Sequence, residues 1–352
     1  LTGKAGEQLD KTHVDAIADI VAKLRNNGSE VVLVSSGAIA TGLAPLGLTV
    51  RPTDLATQQA AASVGQGLLI SYYNQALTRH SLLSSQVLIT IDDFVREEHY
   101  QNAQRTLFKL LELGVVPIIN ENDTVGTSEI RFGDNDRLAA LVALLTQADL
   151  LVLVSDIDAL YDAPPSEAGA KKISQVADLS EIAEIKLGGA GSAGVGSGGM
   201  VTKIEAAKIA TSAGTAMLLT SAKDLASAMQ GEEFGTIFLP KESKNNARAL
   251  WLAHASSSSG KLVLDAGAVK ALIEKNVSLL PAGVTAVEGT FDAGDTVDLV
   301  DSTSKVIARG IVNFDSDEIP QMLGRSTKEL AATLGAEFER ELVHRDDLVI
   351  LN

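Results

Sequence analysis

Val31-Val32-Leu33-Val34-Ser35-Ser36-Gly37-Ala38-Ile39-Ala40 is the stretch on which the fold class turns. Four apolar residues predict a short strand, Ser-Ser-Gly a tight turn of small residues, and the Ala-rich continuation the start of a helix. The pattern recurs outward along the chain. Val87–Ile91, Val115–Ile119, Leu150–Val154 and Ala216–Leu219 are further short β-prone runs. Helical spacing separates them at Val14–Leu24, Gln101–Leu113, Arg137–Thr146 and Thr202–Ala213. Strands of this length alternating with such helices imply βαβ units and an α/β fold with a mainly parallel, buried sheet.

After about residue 240 the pattern changes. Asn245-Asn246 and Ser256-Ser257-Ser258-Ser259-Gly260 read as a polar linker. Beyond it, short segments with turn signals and a helix over Ser326–Leu334 predict a small β-rich domain. The expected domains are therefore 1–255 and 260–352.

The composition agrees. With 352 residues, 45% hydrophobic, the chain is long enough for a large core and a second domain. Its net charge of −16 disfavours broad binding to a phosphate backbone. The lack of cysteine excludes disulfides, thiolate metal sites and cysteine nucleophiles. No apolar run reaches the roughly 18 residues a membrane helix needs, and no signal-peptide pattern opens the chain, so the expected location is cytoplasmic.

Parallel α/β sheets bind ligands at the carboxyl ends of their strands, so each strand is read with the loop that follows. Ser35-Ser36-Gly37-Ala38 lets a backbone approach a ligand and offers helix N–H groups to an anion, though an ordinary strand-to-helix turn explains it too. Asn120-Glu121-Asn122-Asp123 sets four polar groups at one strand end, suited to an ammonium group or to a capped solvent-facing loop. Gly133-Asp134-Asn135-Asp136 exceeds what a single helix cap requires. Ser155-Asp156 could bracket a nucleotide or form an Asx-type turn. The glycine tract Gly188–Gly199 runs into Met200-Val201-Thr202-Lys203 at a helix start, an arrangement suited to phosphate. Its formal G-x-G-x-x-G at Gly189, Gly191 and Gly194 has no apolar strand before it, so the dinucleotide-fold reading is rejected. His344-Arg345-Asp346 resembles a protein-kinase catalytic loop, but Leu351 stands where that loop needs Asn. The five histidines lack metal-ligand spacing, so no histidine-bound metal centre is expected.

The order of these loops resembles the amino acid kinase family, in its glutamate-phosphorylating branch, over essentially the whole chain. The segment from about Gly260 resembles a PUA domain. The resemblance implies a three-layer α/β/α sandwich followed by that domain. It also implies transfer of the ATP γ-phosphoryl group to the side-chain carboxylate of glutamate, the first step of proline synthesis. By resemblance, Ser36, Asp123 and Asn135 hold glutamate, with Asn120 close by. Ser155, Asp156 and the loop Ser197, Gly198, Gly199, Met200, Val201, Thr202, Lys203 bind ATP. Lys203 would neutralise charge on the transferred group, and Asp136 would orient catalytic lysines. Mg2+ would be held by ATP oxygens and water. The region Thr49 to Thr57 resembles one linked to proline feedback, and the family forms dimers or tetramers.

PUA domains often bind RNA, but residues 260–352 carry nine Lys and Arg against sixteen Asp and Glu, net −7, which argues against it. The family begins with a strand ending in Lys-x-Gly-Ser/Thr, whose lysine and glycine contact phosphates. This sequence opens at Leu1-Thr2-Gly3, just past that segment. The expectation is a chain lacking its true N-terminus and poorly active as it stands.

Overall fold

The computed structural model describes residues 11–125, 135–163, 167, 169–182, 199–240, 258–275 and 277–351. Contacts divide the chain into two compact units, one ending at Glu242 and one running from Ser243 to Asn352. The expected boundary at 255–260 falls largely among residues 241–257, outside those described.

In the first unit β1 (Leu33–Val34), β2 (Ser84–Ile89) and β3 (Val116–Glu121) form a parallel sheet in the order β1-β3-β2. β3 lies at its centre, and Val116, Pro117, Ile118, Ile119 and Asn120 are all buried. A strand buried at every position must be covered on both faces, because successive side chains alternate. Val116 and Ile118 pack with Val14, Ala18 and Val21 of α1 (Lys11–Asn26) and Leu69, Tyr73 and Leu77 of α3 (Leu55–Thr78). α6 (Asn135–Leu145) also packs on β1 and β3. Its residues Leu138–Leu145 are buried all round, as a helix apolar on every side must be.

A second sheet contains β4 (Leu150–Ser155) parallel to β8 (Ala216–Ser221). β9 (Thr236–Phe238) runs antiparallel to β8 and carries β7 (Gln175–Val176) at its outer side. Between them in sequence, β5 (Leu160–Tyr161) and β6 (Lys172–Ile173) form a small antiparallel pair. α6 packs against β4 as well, and α7 (Met200–Ser212) lies against α6 and β8. The mainly parallel pairing matches expectation, while the described strands hydrogen-bond as separate sheets.

Most expected elements shift by a few residues. The run Val31–Val34 pairs only at Leu33 and Val34, and the strand expected at 115–119 continues through Asn120 and Glu121. α3 was not expected. Its 24 residues include apolar or small side chains on every side, so no 3.6-residue stripe marks it. Asp54 caps it, accepting from the Thr57 N–H at 2.9 Å.

The second unit is a five-stranded sheet in the order β11-β10-β12-β13-β14. These are β10 (Gly260–Leu264), β11 (Val284–Gly289), β12 (Thr296–Val300), β13 (Val306–Ile311) and β14 (Leu348–Ile350). Its core gathers Leu262, Leu272, Phe291, Leu299, Val312 and Leu330. The expected helix forms over Thr327–Leu334. Ser326 caps it, accepting from the Glu329 N–H at 3.3 Å. Ser-x-x-Glu there is a capping-box pattern. His344-Arg345-Asp346 leads through one helical turn into β14, as a structural approach to a strand.

Candidate active site

The turn after β1 is tied on three sides. The Ser35 N–H donates to Ile119 O at 2.8 Å, extending the β1–β3 pairing by one residue. The Ser35 hydroxyl meets Tyr73 of α3 at 3.3 Å, and burial raises the Tyr73 phenol above its ordinary range. The Asn135 side-chain amide donates to Ser35 O at 3.1 Å. Gly37 then turns the chain at φ 93°, a left-handed conformation costly for any residue with a Cβ, into α2 (Ala38–Leu43). The Ser36 side chain is exposed at this turn.

α2 and α3 touch backbone to backbone. A Cβ on Gly42 would collide with the carbonyl of Ala61, and one on Gly65 with the carbonyl of Ala38. The contact fixes the Ser36–Ala38 turn against the middle of α3. From that same part of α3, Gln66 reaches the end of β3. Its Nε2 donates to Glu121 O at 3.1 Å, and its Oε1 accepts from Asn120 Nδ2 at 3.2 Å. Asn120 is buried, Asp123 half-buried. Burial pushes the Asp123 carboxyl up to about 6, while a hydrogen bond from Gln66 and the charge of Arg51 pull it back. Above that pH it is an anion suited to hold an ammonium group.

Asp136 follows Asn135 at the start of α6 but faces the other way. Its Oδ2 lies 3.0 Å from the Lys203 ammonium and 2.8 Å from the Thr202 hydroxyl, both on the first turn of α7. The Lys203 side chain is 6% exposed. A lysine buried this deeply needs a carboxylate partner, and Asp136 supplies it. Gly199, the N-cap of α7, gives no side-chain cap, and Val201 is exposed beside it.

At the end of β4 the bonds are local. Ser155 Oγ lies 3.0 Å from Asp156 Oδ1 and accepts from the Ile157 N–H at 3.3 Å. Ser155 is in register with Ser221 of β8.

The structure thus gathers Ser36, Asn120 and Asn135 around the ends of β1 and β3, with Asp123 tied to them through Gln66. It joins Asp136, Thr202 and Lys203 across α6 and α7. It shows no bond from Ser155 or Asp156 to either group. Ser197, Gly198, the glycine tract before them, and Phe132 to Asp134 lie outside the described residues. Gln66 and Tyr73 were missed by sequence reasoning. A polar Gln between Gly65 and Gly67 in an Ala-rich run was the available signal, and it becomes visible only once α3 is recognised.

Parallel strands ending in polar loops, with a buried lysine–aspartate pair at two helix starts, make an α/β arrangement suited to anionic ligands such as phosphate. Residues 2–221 match the amino acid kinase family, and residues 260–334 match the PUA domain. The chain belongs to the amino acid kinase family. Among its relatives, the glutamate 5-kinase of Streptomyces avermitilis is 58% identical over 352 residues, the whole of this chain and 94% of that protein. The glutamate 5-kinase of Salinispora arenicola is 59% identical over 343 residues, covering 97% of this chain and 93% of that protein. The glutamate 5-kinase of Bifidobacterium adolescentis is 50% identical over 352 residues, covering 100% and 93%. Within the family, the chain is thus a member of the glutamate 5-kinase group, a kinase that uses ATP.

Proposed function

We propose that this chain transfers the γ-phosphoryl group of ATP to the side-chain carboxylate of L-glutamate, giving glutamyl 5-phosphate and ADP at the first step of proline biosynthesis. The observation that carries the site assignment is the buried Lys203–Asp136 pair beside the Asn135–Ser35 bond. A carboxylate oxygen forms the new bond to phosphorus as the bond to the ADP oxygen breaks. The acceptor is already ionised at neutral pH, so no general base is needed, and catalysis rests on alignment and charge neutralisation.

In this reading Asp123 and Asn120 take the ammonium end of glutamate, and the Ser36 turn and Asn135 orient its carboxylates. Lys203 neutralises charge on the group in transfer, and Asp136 holds Lys203 in place. Ser155, Asp156 and the Ser197–Lys203 loop form the nucleotide side. Mg2+ would come with the nucleotide, held by phosphate oxygens and water, and would lower the charge on them. Among the described residues no group of three or more His, Asp or Glu is placed to hold a metal of its own.

β1 and β4 each have a hydrogen-bonded neighbour on one side only among the described residues, and both lie against α6.

Proline inhibition through Thr49–Thr57 fits the charge of Arg51 acting on Asp123. A homo-oligomer, dimer or tetramer, fits the apolar surface of Leu83 and Leu88 at the edge strand β2. Residues 1–255 form the kinase domain, and 260–352 a PUA domain whose net charge of −7 favours catalysis over RNA binding as the main role. A cytoplasmic location is part of the proposal; among the described residues no helix is long and apolar enough to cross a membrane.

The deciding assay is ADP release with glutamate as acceptor. Glutamate-dependent release is expected. Release driven only by another carboxylate or phosphate acceptor would overturn the assignment.

A further inference from the structure

We infer that Gln66 is a positioning residue for the acceptor half of the site, locking the polar end of β3 to the turn after β1. The inference rests on the function proposed above, and it follows from how fully one side chain is used. A glutamine amide has two N–H donors and an oxygen with two lone pairs. Gln66 is 9% exposed, in the middle of α3, and serves several partners at once. Nε2 donates to the backbone carbonyl of Glu121 at 3.1 Å, and the side chain also acts to lower the Asp123 carboxyl. Oε1 accepts from Asn120 Nδ2 at 3.2 Å. Asn120 in turn accepts the Glu121 N–H at 2.9 Å. Asn120 and Glu121 are thereby fixed from one point.

That point is itself immobile. The adjacent Gly65 has its backbone against the Ala38 carbonyl, at the first residue of α2. Residues 65 and 66 of one helix therefore touch the turn after β1 and the end of β3, the two segments assigned to glutamate.

No other side chain fills the same role. Glutamate could accept from Asn120 but could not donate to Glu121 O, and it would set a second negative charge beside Asp123. Lysine could not accept. An apolar residue would leave Asn120 and the Glu121 carbonyl without their partner in a buried setting. The bond from Gln66 also opposes the burial that raises Asp123, as does the charge of Arg51 from the loop ahead of α3. Losing Gln66 should therefore raise Asp123 further.

The test uses the full chain with Gln66→Glu and Gln66→Met, both close to glutamine in size. Steady-state ADP formation is measured against glutamate and against ATP from pH 5 to 8, with thermal unfolding alongside. The expected result is a KM for glutamate raised about tenfold or more in both variants, with KM for ATP within about twofold. The acid limb of kcat/KM for glutamate should also move up, by about one pH unit in Gln66→Glu. Wild-type KM and limb position in folded variants would overturn the inference. So would a parallel rise in both KM values with a lowered Tm, the mark of a merely structural role. If Gln66→Glu does not fold, Gln66→Met decides alone. Absence of glutamate-dependent ADP from the unaltered chain would sink the proposed function instead. Hydrogen exchange separates the two failures. The Glu121 amide, bonded to Asn120, should exchange faster in Gln66→Met whether or not the enzyme turns over, and unchanged exchange would defeat the inference.

Discussion

The two halves of the site are built differently. Around the ends of β1 and β3 the polar residues are held by bonds between distant parts of the chain, such as Asn120 to Gln66, Asn135 to Ser35 and Ser35 to Tyr73. Around the end of β4 the bonds run between neighbours, Ser155 to Asp156 and Ile157, with Ser221 to Asp224 at 2.7 Å beside them on β8. Long-range links on that side run from Asp136 to Lys203 and to Thr202. The difference follows the chemistry. A small amino acid offers few atoms, so the protein must supply a fixed frame to orient one carboxylate. A nucleotide brings a large apolar base and several charges, and a few well-placed groups suffice to dock it.

The sharpest way to break this comparison is at its one shared charge pair. Lys203→Ala is expected to lower kcat by about a thousandfold, roughly 4 kcal/mol, since it removes neutralisation from the group in transfer. It should leave KM for glutamate within about threefold. A loss in KM for glutamate instead would place Lys203 in the acceptor half.

Next in size is Asp123→Asn. Removing the anion should raise KM for glutamate by about a hundredfold, near 2.7 kcal/mol, measured by initial rates at pH 8. In the unaltered enzyme, kcat/KM for glutamate should fall below a midpoint near pH 6, as the Asp123 carboxylate takes up a proton. The sign for stability runs the opposite way. The folded-state value lies above the ordinary carboxylate value of about 3.9, so the folded state binds this proton more tightly than the unfolded chain. Between about pH 4 and 6 this group therefore costs stability as pH rises. Asp123→Asn should unfold at a higher temperature than the unaltered chain at pH 7.

The smallest effects distinguish the two frames directly. Gly65→Ala forces α2 and α3 apart and should cost about 1–3 kcal/mol of stability, with a raised KM for glutamate. Ser155→Ala removes bonds that stay within one turn and should change KM for ATP less than about fivefold, near 1 kcal/mol. Equal effects of the two changes on their substrates would erase the contrast.

β3, β4 and β8 were legible in the sequence because each is a compact apolar run followed by turn chemistry, as at Leu150–Ser155, whereas the two- and three-residue strands β5, β6, β7 and β9 are too short to show a run. α6 was legible through its Asn-Asp start, although two adjacent residues serving two different partners could not be read from capping. α3 stayed hidden because Ala, Gly, Leu and Ser surround it on every side, leaving no stripe to count. With the helix went Gln66, Tyr73 and the glycine contact that seats the acceptor turn. The assignments of Lys203 and Asp136 came from resemblance, and the structure adds the distance between them.

Asn135 and Asp136 are joined by a single peptide bond, and one reaches the acceptor turn while the other reaches the lysine. A peptide plane has no soft torsion, so their Cα atoms stay about 3.8 Å apart whatever else moves. In the proposed assignment the two substrates are therefore gauged against one covalent ruler. A displacement of about 1 Å between reacting atoms can cost a hundredfold in rate, so a chemically rigid link at that junction guards alignment better than further packing could.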